Sequence, residues 1–198
     1  MSVPVVIGND WIIPTPAAIV GPKDQFRGMD ATVDDFWQFA LSDLRMNNAR
    51  GYLAEFIVAR SLGLVHARRI EWAEYDVEFE GISIEVKSSA YLQSWEQPRL
   101  SAISFTGLKG TQYSPRAGYS SAGKQFNAMV YVFCVQAARE HEQYDVLDIG
   151  QWEFYVLPRS ALVARGFASI SRSALATLTN AVLFAEIADA VRAAGARQ

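Results

Sequence analysis

Asp76, Glu85 and Lys87 are the residues of this chain whose types and spacing best suit chemistry. They lie in residues 75–89, YDVEFEGISIEVKSS, where apolar and polar side chains alternate on both sides of Gly81. Alternation with period two marks half-buried strands. A two-residue loop at Glu80 and Gly81 pairs Phe79 with Ile82 and Val77 with Ile84, and sets Asp76 opposite Glu85. Directly opposed side chains have Cβ atoms about 4.5–5.5 Å apart, and like charges there destabilise a hairpin. Two such carboxylates with an ammonium one step along make poor packing. They make good oxygen ligands for a hard divalent cation, with the amine beside the water it would carry. The competing reading is a solvated face of alternating charge.

A third acid favours chemistry. Residues 50–62 have helical character, with Gly63 as the stop. Glu55 lies mid-helix, and its neighbours three and four positions away, Gly51, Tyr52, Val58 and Ala59, carry no charge. An unpaired carboxylate is costly to bury. Glu55 is therefore either an edge residue reaching water or an acid aimed at a metal. An earlier helix begins at Thr32, with Asp35 at capping-box spacing, and forms an apolar face from Val33, Phe36, Trp37, Ala40, Leu41 and Leu44. Asn47 and Asn48 are expected to end or bend it.

The 198 residues suggest one domain, 32–198, with residues 1–31 as an extended arm. Hydrophobic residues make up 51% and charged residues 20%, enough apolar material for a substantial core. The net charge of −3 does not advertise a nucleic-acid partner. Cys134 is the only cysteine, which excludes an internal disulfide and fits a reducing, cytoplasmic setting. No Lys or Arg precedes Lys23, and no segment is long and apolar enough for a bilayer, so neither a signal peptide nor a membrane partner is expected. His66 and His141 lack partners at metal-ligand spacing, and Cys134 sits in a strand-like run, so histidine- or cysteine-based nucleophilic catalysis is unsupported.

From Gln97 to Arg139 there is no Asp or Glu, while Arg99, Lys109, Arg116 and Lys124 are present. With Tyr113 and Tyr119 nearby, these four suit a phosphate backbone with exposed bases; otherwise they belong to an ordinary flexible loop. Residues 107–127 are expected to be that long loop. Strands are expected at 100–106, 128–136 and 152–157, the second covered on both faces, and short helices at 160–165, 171–178 and 183–194. Gln93 could lie beside the carboxylates.

The order of Glu55 on a helix, Asp76 on one strand and Glu85-Val86-Lys87 on the next resembles the PD-(D/E)XK nuclease superfamily, over roughly residues 48–160. The segment RGYLAEFIVARSLG with YDVEF and IEVKSSAYLQSW also looks like uncharacterised bacterial proteins assigned to it. The residue before Asp76 is Tyr75 where many members have proline. The resemblance implies an α/β (α+β) restriction-endonuclease-like core, a mixed central sheet of about four to five strands flanked by helices. It implies Asp76, Glu85, the Val86 carbonyl and Glu55 as ligands of Mg²⁺ or Mn²⁺, and Lys87 as the catalytic amine. Gln93 would match a glutamine found after the motif in some branches. The implied activity is hydrolysis of DNA, with RNA as the alternative substrate, in repair, recombination or restriction-defence, by a chain that could act as a homodimer. The alternatives are a catalytically silent nucleic-acid-binding module and an assembly module on the same fold.

Overall fold

The computed structural model describes residues 18–71, 73–114, 116 and 118–197. Two helices come first, α1 (Val33–Leu41) and α2 (Asn47–Ser61). Then follow β1 (Val77–Phe79), β2 (Ile82–Ala90), β3 (Ser104–Phe105), β4 (Gly110–Ser114), β5 (Gly118–Gln125), β6 (Val130–Gln136) and β7 (Trp152–Pro158). The chain closes with α3 (Arg159–Arg165), β8 (Ile170–Ser171), α4 (Arg172–Ala176) and α5 (Ile187–Gly195). The architecture is mixed α/β, with a four-stranded sheet ordered β1-β2-β6-β7 and flanked by helices.

The β1–β2 hairpin has the expected register, Val77↔Ile84 and Phe79↔Ile82. Its loop puts both Glu80 (φ 52°) and Gly81 (φ 78°) in the left-handed region, as a two-residue turn matched to strand twist requires. Glycine accepts that angle freely. Glu80 is held there by the Arg192 guanidinium of α5, which donates to both its carboxylate oxygens at 2.8 and 2.9 Å.

Parallel pairing of β2 with β6 and antiparallel pairing of β6 with β7 place β6 inside the sheet. All seven β6 residues are buried. That explains the unbroken apolar run, because an interior strand covered on both faces has no polar side. One face packs Ile84, Val86, Val132 and Phe154 against Ile57 and Val58 of α2 and Val191 of α5. The other packs Tyr131, Phe133 and Leu157 against Phe105, Leu162 and Leu175. Each such side chain contributes about 1.5–3 kcal/mol on burial.

Four expectations need correction. Asn47 and Asn48 open α2; they do not end α1. The α1 capping box is present, but of its apolar face only Val33 is buried, and Phe36 and Trp37 are exposed. Within residues 107–127, expected as a loop, Gly110–Ser114 and Gly118–Gln125 pair as the antiparallel strands β4 and β5. Their residues are small, polar and mostly exposed, so no apolar period announced them. The strand expected at 100–106 shrinks to β3, paired only with β8. Of the expected arm, residues 1–17 lie outside the described residues, and 18–31 form largely exposed turns with one bridge, Gln25 to Thr32. Among the described residues no helix is long and apolar enough to cross a membrane.

Candidate active site

β1 is short, and what happens where it ends shapes the site. Its ladder stops at Val77, yet the Asp76 amide still donates to the Ile84 carbonyl at 3.0 Å. Two successive residues thus address one partner, and the strand leaves the sheet edge as at a bulge. The Asp76 carboxylate continues the pairing: its Oδ2 accepts the Val86 amide at 2.7 Å. The strict Asp76–Glu85 opposition expected from the sequence is replaced by this reach past Glu85 to the next amide. The two charges stay close, since Asp76 is the neighbour that most raises the Glu85 pKa after burial itself.

Glu85 and Lys87 alternate with Ile84 and Val86, so they share the opposite face of β2, in register with Tyr131 and Phe133. The Lys87 ammonium donates to Glu85 Oε1. Glu55 comes from α2 on the other side of the sheet and meets the cluster around the edge that β1 leaves open. Its side chain is only 15% exposed. Burial, then Asp76, push its pKa up to about 7; Arg69 opposes them, and Glu85 adds the smallest contribution. Burial also raises the Asp76 pKa, against the Val86 amide, Lys87 and Arg69. Asp76 is thus the acidic neighbour that weighs most on both Glu55 and Glu85.

Glu55 is not without a partner. Arg69 Nε lies 3.0 Å from its Oε2 while the same guanidinium sits over the Tyr52 ring, 4.6 Å from the centroid. Arg69 belongs to the connection between α2 and β1, where sequence reasoning assigned no role. The Arg68-Arg69 pair between two acid-bearing elements was the available signal.

Three desolvated carboxylates against two nearby cations, Lys87 and Arg69, leave a local deficit of positive charge. Hard oxygen donors in such a deficit fit Mg²⁺ or Mn²⁺ by donor chemistry. They do not close a ligand shell as they stand: among the described residues, no group of three or more His, Cys, Asp or Glu is arranged to hold a metal ion. Glu85 is turned to Lys87, Glu55 to Arg69 and Asp76 to the Val86 amide.

A cleft of about 830 Å³ opens beside the acids, with Glu55 and Asp76 in its wall and Arg60, Arg68 and Arg69 around it. Gln93 is used elsewhere. Its buried amide oxygen accepts from Arg50 Nη1 and Nη2, and its Nε2 donates to the Ala90 carbonyl and Ser101 Oγ. With oxygen and nitrogen both engaged, it ties α2 to the end of β2.

The four basic residues are divided. Lys109 and Lys124 line a separate cavity of about 290 Å³ with Phe126 and Arg159, and the Lys109 ammonium lies 5.0 Å from the Phe126 ring centroid. Arg116 lies exposed at the turn of the β4–β5 hairpin, and Arg99 is exposed in the connection between β2 and β3. Tyr113 and Tyr119 face each other across that hairpin, centroids 5.1 Å apart. Both histidines are exposed, and Cys134 is buried with its thiol pKa raised by burial.

No family model, curated protein or solved structure matches the chain.

Proposed function

We propose that the chain is a divalent-cation-dependent nuclease of the PD-(D/E)XK type that hydrolyses phosphodiester bonds, with DNA as the first substrate to test. The observation carrying this reading is that Asp76 is tied to the Val86 amide, between Glu85 and its partner Lys87 on β2, while Glu55, distant in sequence, is desolvated and feels the charge of Asp76. Structural ion pairs are balanced, whereas this cluster holds its acids partly desolvated and mutually repelling. Strongly perturbed carboxylates beside a cleft are candidates for function.

Asp76, Glu85 and the Val86 carbonyl would hold Mg²⁺ or Mn²⁺, with Glu55 completing or tuning the site. A cation there polarises a phosphoryl oxygen and acidifies a water. The Asp76–Val86 hydrogen bond holds the first ligand against the strand that carries the second. Lys87, once Glu85 is shared with a cation, is released to orient the attacking water and to offset charge on the phosphate. Arg69, drawn from Glu55 by an incoming phosphate, is placed to receive one of its oxygens, and its bidentate geometry suits one.

The test is a cleavage screen over single-stranded, duplex, junction and RNA substrates in Mg²⁺ and Mn²⁺, run beside Lys87→Ala. Metal-dependent cutting lost in Lys87→Ala supports the reading; equal cutting in the variant removes it. A second reading, a silent nucleic-acid-binding module, is favoured by the inward pairing of Glu85 with Lys87 and Glu55 with Arg69. Binding without cleavage on every substrate would select it.

A further inference from the structure

The cleft beside Glu55 is walled by more than acids. Tyr52 and Phe56 stand one turn apart on the exposed side of α2, 42% and 57% exposed. Large aromatic side chains left in solvent at i, i+4 spacing do not help α2 pack. Each has a guanidinium over its ring: Arg69 lies 4.6 Å from the Tyr52 centroid and Arg60 5.5 Å from that of Phe56. All four line one cleft and exposed Arg68 joins them, facing an acidic side made by Glu55, Glu74, Asp76 and Glu78.

We infer that this cleft is the binding site of a single-stranded nucleic-acid segment, its bases stacked on Tyr52 and Phe56 and its phosphates held by Arg60, Arg68 and Arg69. The inference rests on the nuclease reading for its consequence, which is that the strand is led to the acids unpaired. Three features favour this occupant over a duplex. Flat rings accept a base only when its face is free, and in a duplex that face is covered by its neighbours. Each ring has a cation stacked on its face, so a base that takes the face leaves that cation beside the phosphate joined to it. The site is also a concave, partly apolar cleft of about 830 Å³. That is room for a few flipped-out or terminal nucleotides and not for a stacked double helix.

The arginines have a double role in this arrangement. With the cleft empty they shield the rings and, through Arg69, neutralise Glu55. An entering base takes the ring face, and the guanidinium moves to the adjoining phosphate. Binding is therefore salt-dependent, and it survives removal of divalent cations.

The experiment is fluorescence anisotropy of the full chain in EDTA. The probes are a labelled thymidine 12-mer and a labelled 12-base-pair duplex, read with wild type, Tyr52→Ala, Phe56→Ala and Lys23→Gln. Both aromatic side chains are exposed, so the variants should keep their fold, which circular dichroism verifies. The expected result is single-strand binding at least about tenfold tighter than duplex binding, weakened about tenfold by either aromatic substitution, the loss expected for one stacked base. Lys23→Gln, exposed and outside the cleft, leaves that preference unchanged. Equal or better duplex binding, or single-strand binding that ignores both aromatic substitutions, overturns the inference. Cutting of duplex DNA in Mg²⁺ with that second pattern removes the inference and leaves the nuclease reading. Ring-dependent single-strand binding without cleavage in any cation sustains the inference and removes the nuclease reading.

Discussion

Asp76 Oδ2 accepts the backbone amide of Val86 at 2.7 Å, so a side chain does at the end of β1 what a backbone carbonyl does along the rest of the hairpin. The same bond fixes an acid of the proposed site and anchors the start of β1 to β2. Function and stability are therefore coupled at one residue, and substitutions can separate them. Asp76→Asn keeps an acceptor for the amide and removes the charge. It should abolish metal-dependent cleavage while leaving urea unfolding within about 0.5 kcal/mol of wild type or slightly more stable. Asp76→Ala strands the amide and should cost about 1–3 kcal/mol as well. Equal destabilisation in both would show that the charge, not the hydrogen bond, holds the edge.

Glu55 makes metal-free stability depend on pH. Its pKa is about 7 in the folded chain against an ordinary 4.5, so between those values the folded state binds the extra proton. Stability is then full below about pH 4.5 and falls as pH rises through 7. Asp76 and Glu85 are shifted the same way. Urea midpoints should fall from pH 5 to pH 8 in EDTA. The fall should shrink in Glu55→Gln, and Mg²⁺ should restore stability more at pH 8 than at pH 5. A midpoint independent of both pH and Mg²⁺ would contradict the charge deficit described above.

Lys87 is expected to matter for rate more than for fold, because its side chain is 25% exposed and its ammonium pairs with Glu85. Lys87→Ala should reduce cleavage at least about a hundredfold, the usual scale for a positioned proton-transfer group. Single-turnover kinetics on a substrate cut by wild type measures this. Lys87→Arg keeps the charge but not the compact ammonium, and it should recover binding more than turnover.

Gln93 should behave as a structural tie. Gln93→Ala leaves the buried Arg50 guanidinium short of an acceptor and should lower stability by about 1–3 kcal/mol. At a temperature where the variant stays folded, its cleavage rate should match wild type. A selective loss of turnover with unchanged stability would return Gln93 to the site.

Phe133 is fully buried between β2 and β7 and stacks edge-on against Phe105, centroids 5.0 Å apart. Phe133→Ala should cost about 3–5 kcal/mol by denaturant unfolding. A far smaller loss would mean that this face of the sheet is looser than its packing indicates.

Much was legible without coordinates, and the reason is local. The hairpin at Glu80 and Gly81, the buried β6 run and the stop at Gly63 each arise from patterning over a few residues, where strand period, turn chemistry and burial agree. The β4–β5 hairpin was not legible, because strands exposed on both faces leave no apolar alternation to read. The exposure of α1 was hidden for the opposite reason: an amphipathic sequence specifies a face but not what that face meets.

The order of acids along the chain, and the strand that carries Glu85, were determined by sequence alone. Only the tertiary structure decided that β1 stops at Val77, that Asp76 reaches across to Val86, and that Glu55 arrives around the opened edge with Arg69 already upon it. These contacts join residues ten to thirty positions apart. They depend on how helix, connection and sheet edge settle against one another, and pairing across such separations is set by packing rather than by the propensity of any single segment.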